Sequence, residues 1–274
     1  MFGAVIGDII GRPYVNKKID DPEKIQRLNK FSTFTEISVM TLAVAEALMR
    51  AMPVCPADGG KICVGSSFQK SLIASMKQFG KKFSKIHYGK KFNAWIHKKN
   101  PTPYESLSNG AALRVSPVAW AFDNILDVER FAELVARVTT PTAETVKFTR
   151  TFAGLVFLAR MKKEKSEIKD YFEKRAEIKF SATIEEIRPD FTFSSKCNET
   201  ISAAFAAFLE SENFGETMTK AISLGGETTA TASMSGALAE AYFGTSISTE
   251  AETFDRLHKY LKFVVGKFEQ WKRQ

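Results

Sequence analysis

Residues 225–244 read GGETTATASMSGALAEAYFG. Glu227 follows two glycines and precedes two threonines at the point where a helix should begin. A helix N-terminus carries unpaired N–H groups and the positive end of a dipole. An acid in that first turn is favoured by about 0.3–1 kcal/mol, which accounts for Glu227 without any chemistry. It does not account for Gly225 and Gly226, which point to close approach of the backbone to another group. A second stretch with chemical capacity is KQFGKKFSKIHYGKKFNAWIHKKN, residues 77–100, with eight lysines, two histidines, five aromatics and no acid. It reads either as a solvated lysine face or as a groove for an anionic ligand, a nucleotide pyrophosphate or a nucleic acid.

The elements that must position these residues are helical. Residues 36–51, EISVMTLAVAEALMRA, have apolar side chains spaced for a mostly buried helix. Residues 127–138 and 142–161 predict two more, with Pro141 between them where a helix stops or restarts. Residues 163–178 predict an exposed amphipathic helix, 200–211 and 216–224 a pair split by an Asn-Phe-Gly turn, and 250–272 a last amphipathic helix. The N-terminal MFGAVIGDIIGRPY predicts a buried first helix and not a signal peptide, since it lacks a basic start and carries Asp8 in its middle. IKFSAT (178–183) and FTFSS (191–195) are the only extended candidates. From Ala230 to Ala239 the helix after Gly226 has almost no bulk on any face, so it should lie centrally against close neighbours. The expected class is all-α, in one domain over 1–274, because no linker-like stretch divides the chain.

Composition sets outer limits. At 274 residues with 44% hydrophobic and 26% charged residues, the chain can bury a large core as a soluble globular protein. Phe occurs 23 times against 6 Tyr and 3 Trp, which predicts a Phe-rich core. Three cysteines, Cys55, Cys63 and Cys197, are too few and too odd in number for a disulfide scaffold and have no zinc spacing. No apolar run is long enough for a membrane span. The expected location is the cytoplasm, with no membrane partner. The net charge of +8 (39 basic, 31 acidic residues) owes much to residues 77–100.

GAVIGDIIGRPY (3–14), FTEISVMTLAVAEAL (34–48), YGKKFNAWI (88–96), PYESLSNGAALRVSPVAWAF (103–122), IEEIRPDFTF (184–193), AFLES (207–211) and AISLGGETTATASMSGALAEAYFG (221–244) occur in one order. In that order, and over nearly the whole chain, they resemble the bacterial branch of the ADP-ribosylglycohydrolases. The resemblance implies an all-α orthogonal bundle whose cleft holds two magnesium ions beside an ADP-ribose site.

The polar motifs depart from that family. Its early Thr-Asp-Asp-Thr is here Thr35-Glu36-Ile37-Ser38, and its late Gly-Gly-Asp-Thr/Ser-Asp-Thr is Gly225-Gly226-Glu227-Thr228-Thr229-Ala230. Val15 stands where the family has Glu, and Thr140-Pro141-Thr142-Ala143-Glu144 where it has His-x-His-Pro-Glu. Two magnesium ions need several carboxylates, at near-octahedral distances of about 2.0–2.1 Å. Glu36 and Glu227 are the acids left, each one methylene longer than aspartate. The resemblance therefore implies a remnant site on Thr35, Glu36, Glu227 and Thr229, able to hold one cation and not a magnesium pair. The competing assignment is that Glu36 and Glu227 cap their helices. No cofactor is expected, or magnesium if activity persists.

The substrate side matches better. Tyr88, Gly89, Lys90 and Phe92 align with the family's phosphate-side Tyr-Gly-Gly-x-Phe, and Ser108, Asn109 and Gly110 with its ribose-side turn. Arg114 is expected to be a buried ion-pair partner, and Asp8 a packing residue behind the site. Three functions are compatible with these residues. One is a degenerate glycohydrolase that binds ADP-ribose or an ADP-ribosylated protein. Another is an active hydrolase with Glu36 or Glu227 as acid or base. The third is a binding module working through the lysines of 77–99, although nucleic acid is not the expected partner.

Overall fold

A computed structural model describes residues 1–17, 19, 22–25, 28–52 and 65–274. Among them every regular element is helical, and the single β-type pairing is an isolated bridge between Ser108 and Lys196. The helices are α1 (Phe2–Gly11), α2 (Glu36–Ala51), α3 (Gly65–Lys82), α4 (Lys90–His97), α5 (Gly110–Leu113), α6 (Val118–Ala121), α7 (Ile125–Arg137) and α8 (Ala143–Arg160). They continue as α9 (Lys165–Ala176), α10 (Ile184–Ile187), α11 (Cys197–Leu209), α12 (Phe214–Ser223), α13 (Thr228–Phe243), α14 (Ile247–Asp255) and α15 (Lys259–Trp271). No helix among the described residues is long and apolar enough to cross a membrane.

The small-residue helix α13 is the centre of the bundle. It is buried from Thr228 through Ala239 and packs against α1, α8, α11 and α12. On α1, Gly3, Gly7 and Gly11 recur every fourth residue and so share one face. Each meets the backbone of α13: a methyl added to Gly3 would lie 2.2 Å from the Gly236 carbonyl oxygen, and one on Gly11 2.5 Å from that of Thr228. The Thr228 hydroxyl then donates to the Gly11 carbonyl at 2.8 Å, tying the C-terminus of α1 to the start of α13.

The glycine pair before α13 also has a structural cause. Gly225 (φ +74°) and Gly226 (φ +62°) sit in the left-handed region, where a side chain is strained. A methyl on Gly226 would stand 2.8 Å from the Thr192 carbonyl oxygen, and one on Gly225 3.0 Å from that of Lys17. The group approached closely is the protein's own backbone. Asn16 N–H donates to the Gly226 carbonyl at 2.9 Å and locks the same junction.

Caps explain where helices begin. The Asn124 side chain accepts from Asp127 N–H, so α7 starts two residues before the predicted 127. Thr142 caps α8 and Asn213 caps α12 in the same way. The predicted single helix over 250–272 is corrected to two. His258 breaks it: its backbone is extended and its Nδ1 accepts from Tyr260 N–H at 3.1 Å, starting α15 afresh. The extended candidates 178–183 and 191–195 form no strand; both are irregular connections. Helices α3 and α4 carry the lysine-rich stretch, which the apolar spacing left unassigned. Phe68, Phe79, Phe131, Phe152, Phe172, Phe205, Phe208 and Phe268 are among the largest fully buried side chains, so the core is Phe-rich as composition predicts. Cys197 is a buried free thiol, and Cys55 and Cys63 lie outside the described residues.

Candidate functional site

A cleft of about 350 Å³ opens where the N-termini of α2 and α13 meet α4, α5 and the turn after α7. Glu36 and Ile37 enter from α2; Glu227, Thr229 and Ala230 from α13; His87, Gly89 and Phe92 from α4 and the loop before it. Ser108 through Ala111, Leu113 and Arg114 form the α5 wall, with Thr139 and Thr140 beside it and Phe193 and Ser195 at the edge. The two motif segments, far apart in sequence, thus face one cavity. A second cleft of about 510 Å³ lies between α12 and α14. Among the described residues its only charged lining residue is Glu216, whose carboxylate is held by Lys220 at 2.9 Å and by Glu212 N–H at 2.8 Å.

Asp8 organises the acidic side from behind. It is fully buried and accepts four hydrogen bonds, from Thr35 N–H (2.8 Å), the Thr35 hydroxyl (2.6 Å), Ser38 N–H (3.2 Å) and the Ser38 hydroxyl (2.5 Å). These counter only part of the upward push that burial gives its carboxyl, which stays above the ordinary value. Asp8 is therefore the support for the α2 N-terminus, as expected. Thr35 is the N-cap residue, its hydroxyl oxygen accepting from Ile37 N–H at 3.2 Å while its proton goes to Asp8. That engagement turns Thr35 away from the cavity and toward Asp8.

Glu36 is half-buried, and its carboxyl is pushed up to about 7. Burial is the main cause, and the carboxylates of Asp8 and Glu227 add to it; a backbone amide and Arg12 work the other way. Glu227 occupies the N-cap position of α13 without a side-chain cap bond. Its Oε1 instead accepts from the Thr229 hydroxyl. So of the capping roles anticipated for the two acids, Glu227 takes none through its side chain.

Ile37 and Ala230 present hydrocarbon to the cavity, and the Thr35 and Thr229 hydroxyls donate to Asp8 and Glu227. Among the described residues no three His, Cys, Asp or Glu side chains gather as a metal site.

On the substrate side, Gly89 (φ −53°) and Gly110 adopt ordinary backbone conformations, so neither needs glycine for its geometry. A methyl on Gly89 would meet nothing within 4 Å, and one on Gly110 only Arg114 Nη1 at 3.9 Å and the Ser108 hydroxyl at 4.0 Å. Both leave space in the cleft. Tyr88 is core: 5% exposed, its ring edge-on to Phe92 at 5.9 Å, its hydroxyl without a partner among the described residues. Lys90 is exposed at the start of α4, and Lys91 Nζ donates to the Glu105 carbonyl at 2.8 Å. Ser108 is in the bridge to Lys196, Asn109 N–H donates to the Ser195 carbonyl at 2.8 Å, and Asn109 Nδ2 donates to the Thr200 hydroxyl at 3.0 Å.

Arg114 corrects one expectation. It is buried, yet it pairs with no carboxylate among the described residues; its bonds run to the Gly110 and Val135 carbonyls (3.1 Å each) and the Thr139 hydroxyl (2.6 Å). His87, Tyr104 and Phe193 line the cleft without having been singled out from sequence. The lysine face lies beside it. Lys81, Lys82, Lys85, Lys90, Lys91, Lys98 and Lys99 are exposed, but Phe79, Phe83, Tyr88 and Trp95 point into the core, which leaves no surface of interleaved aromatics for base stacking.

A profile of the ADP-ribosylglycohydrolase family matches residues 1–264. A solved structure described as an ADP-ribosylglycohydrolase-related protein complex superposes with a TM-score of 0.71 over 99% of this chain and 95% of its own, at 18% sequence identity. No curated protein matches the sequence.

Proposed function

The chain belongs to the ADP-ribosylglycohydrolase family, and from that premise we propose that it is a member that binds ADP-ribose, free or on a modified protein, with its two-metal hydrolytic centre dismantled. The observation that carries this is the wall of the cleft at Ile37, Thr229 and Ala230. At the motif positions that would surround two cations, it offers two hydrocarbon side chains and one hydroxyl. Two carboxylates remain against four positive charges, and burial pushes the carboxyl of one of them, Glu36, up to about 7. The cavity itself is kept: about 350 Å³ is within the usual range for a small-molecule site, roughly 300–1,000 Å³. Gly89 and Gly110 stay free of bulk without a conformational need to be glycine. The test is calorimetric titration of ADP-ribose at low salt, with magnesium and with EDTA. Equal binding in both is expected; no heat and no thermal shift in either would sink the proposal.

Glu36 favours a second function. A carboxyl titrating near 7 is suited to general-acid work, and such help is worth about 10²–10⁴-fold in rate. In that case the chain hydrolyses ADP-ribose from a protein side chain with Glu36 as acid and Glu227 as base. Release of ADP-ribose from a modified peptide, lost in Glu36→Gln, distinguishes it from a binder.

A further inference from the structure

Residues 65–104 hold nine lysines, two histidines and no acid. Outside them 30 of the 39 basic residues stand against all 31 acids, so the chain's whole positive excess lies in this stretch. It folds as α3, α4 and the loops after each. Lys70, Lys77 and Lys81 lie on one stripe of α3, opposite the buried Phe68, Leu72 and Phe79. Lys77 Nζ donates to the Lys98 and Lys99 carbonyls at 2.5 and 2.9 Å, which joins that stripe to the end of α4. Among the described residues none of the nine lysines pairs with an acid. The contacts of Lys77, Lys91 and Lys82 run to main-chain carbonyls and the Tyr260 ring. Elsewhere Lys147, Lys163, Lys196, Lys220 and Lys272 each pair with a glutamate.

Helix C-termini favour lysine, which accounts for Lys81, Lys82 and Lys98. It does not account for the missing acids. Like charges on one face repel, and a glutamate at Gln78, Ser84 or Asn93, all exposed, would relieve the repulsion. A face that keeps its charge uncompensated is arranged to meet a negative partner.

The chemistry of the face narrows that partner. It has no arginine for bidentate phosphate contacts, and Phe79, Phe83, Tyr88 and Trp95 are buried, so no ring is offered to a base. None of the large exposed hydrophobic side chains falls within 65–104, so it has no anchor for a bilayer. Separated point charges suit the scattered carboxylates of a protein surface. His87, Gly89 and Phe92, at the start of α4, also line the ligand cleft. A side chain that enters the cleft therefore brings its own protein against α4. We propose that α3 and α4 form a docking face for an acidic protein, the one whose ADP-ribosylated side chain occupies the cleft beside it. This rests on the ligand-binding function above and names the surface of the modified protein that the chain selects.

The test follows association of the full chain with two ADP-ribosylated peptides, one flanked by Glu and Asp and one by Ser and Gly. Free ADP-ribose, the unmodified acidic peptide, a DNA duplex and anionic phospholipid vesicles are run beside them. One variant combines Lys81→Gln, Lys85→Gln, Lys98→Gln and Lys99→Gln, whose ammonium groups bond to nothing among the described residues. A control loses the same charge through Lys147→Gln, Lys163→Gln, Lys174→Gln and Lys179→Gln. The acidic modified peptide should associate about tenfold faster than the neutral one at low salt, the low end of electrostatic steering. That advantage should vanish in the first variant and at high salt, and persist in the control, while free ADP-ribose binds all three proteins alike. If both modified peptides bind equally, or the control loses the advantage too, the docking face is overturned and ADP-ribose binding stands. If the unmodified acidic peptide binds in a Lys81-, Lys85-, Lys98- and Lys99-dependent way and ADP-ribose adds nothing, the face stands as an acidic-protein site and the ADP-ribose function falls. Tighter binding of the duplex or the vesicles than of the acidic peptide would overturn a protein partner. If no probe binds, both proposals fall.

Discussion

Gly7 of α1 lies so close to Ala232 of α13 that a methyl on Gly7 would stand 1.9 Å from the Ala232 carbonyl oxygen. That contact places the N-terminus of α13 beside the C-terminus of α1, and with it Glu227 in the cleft. Two backbones cannot yield as a flexible side chain can. Gly7→Ala should therefore destabilise the chain by on the order of 3 kcal/mol or more. Gly266, exposed in α15, meets nothing within 4 Å, and Gly266→Ala should stabilise by about 0.5–1 kcal/mol. Urea unfolding of the two variants checks both signs; a Gly7→Ala midpoint equal to wild type would refute the close α1–α13 packing.

Glu36 makes stability depend on pH. Its carboxyl titrates near 7 in the folded chain and near 4.5 when unfolded. Between these values the folded state holds the proton that the unfolded state has lost, so stability falls as pH rises from about 4.5 to 7 and then levels. Glu36→Gln mimics the protonated acid. It should be more stable than wild type above pH 7, by on the order of 2 kcal/mol, and equal to it near pH 4. Melting curves of both proteins across that range decide it, and parallel curves would mean that Glu36 is not perturbed.

Much of this was readable from residue types. The apolar spacing of 36–51 gives α2 with both ends in place, and the run of Ala, Ser and Gly after Thr229 marks the central helix. The Gly225–Gly226 pair was legible as a close approach, but the sequence could not say to what; the answer is the Lys17 and Thr192 carbonyls. The break at His258 was hidden because Phe254, Leu257 and Leu261 keep one apolar face through it. Arg114 was misread because its partners are main-chain carbonyls of Gly110 and Val135, and carbonyls leave no mark in residue types. That the Thr140 hydroxyl has no hydrogen-bond partner among the described residues is likewise a property of packing alone.

Metal binding should be absent and restorable. Calorimetry of the wild type with millimolar Mg²⁺ should give no tight binding. Replacing Glu36→Asp, Ile37→Asp, Glu227→Asp, Thr229→Asp and Ala230→Thr together returns the carboxylates to side chains that enter one cavity. The refilled chain should bind Mg²⁺, and its melting temperature should rise with added ion by mass action. A folded but silent variant would mean that the two motif segments are misplaced relative to each other. Two ions about 3.5–4 Å apart in a wild-type crystal would refute the loss outright.

The space at Gly110 and Gly89 gives the last test. A methyl at either position meets no atom closer than 3.9 Å, and neither backbone is left-handed, so larger residues should fold. The γ-methyls of valine at 110 would project into the cavity toward the Arg114 guanidinium, whose Nη1 is the nearest neighbour. Gly110→Val should therefore abolish ADP-ribose binding with a melting temperature within a few degrees of wild type, since about 1 kcal/mol corresponds to roughly 2–4 °C at this chain size. Gly89→Ala, smaller and at the mouth beside Lys90, should weaken binding less. Wild-type affinity should fall with added salt, because charge and not a bridging metal holds the ligand. Filling the cleft at 110 acts on any ligand that enters it. Undiminished affinity in Gly110→Val would therefore place the ligand outside this cavity, and with it the site assignment would fail.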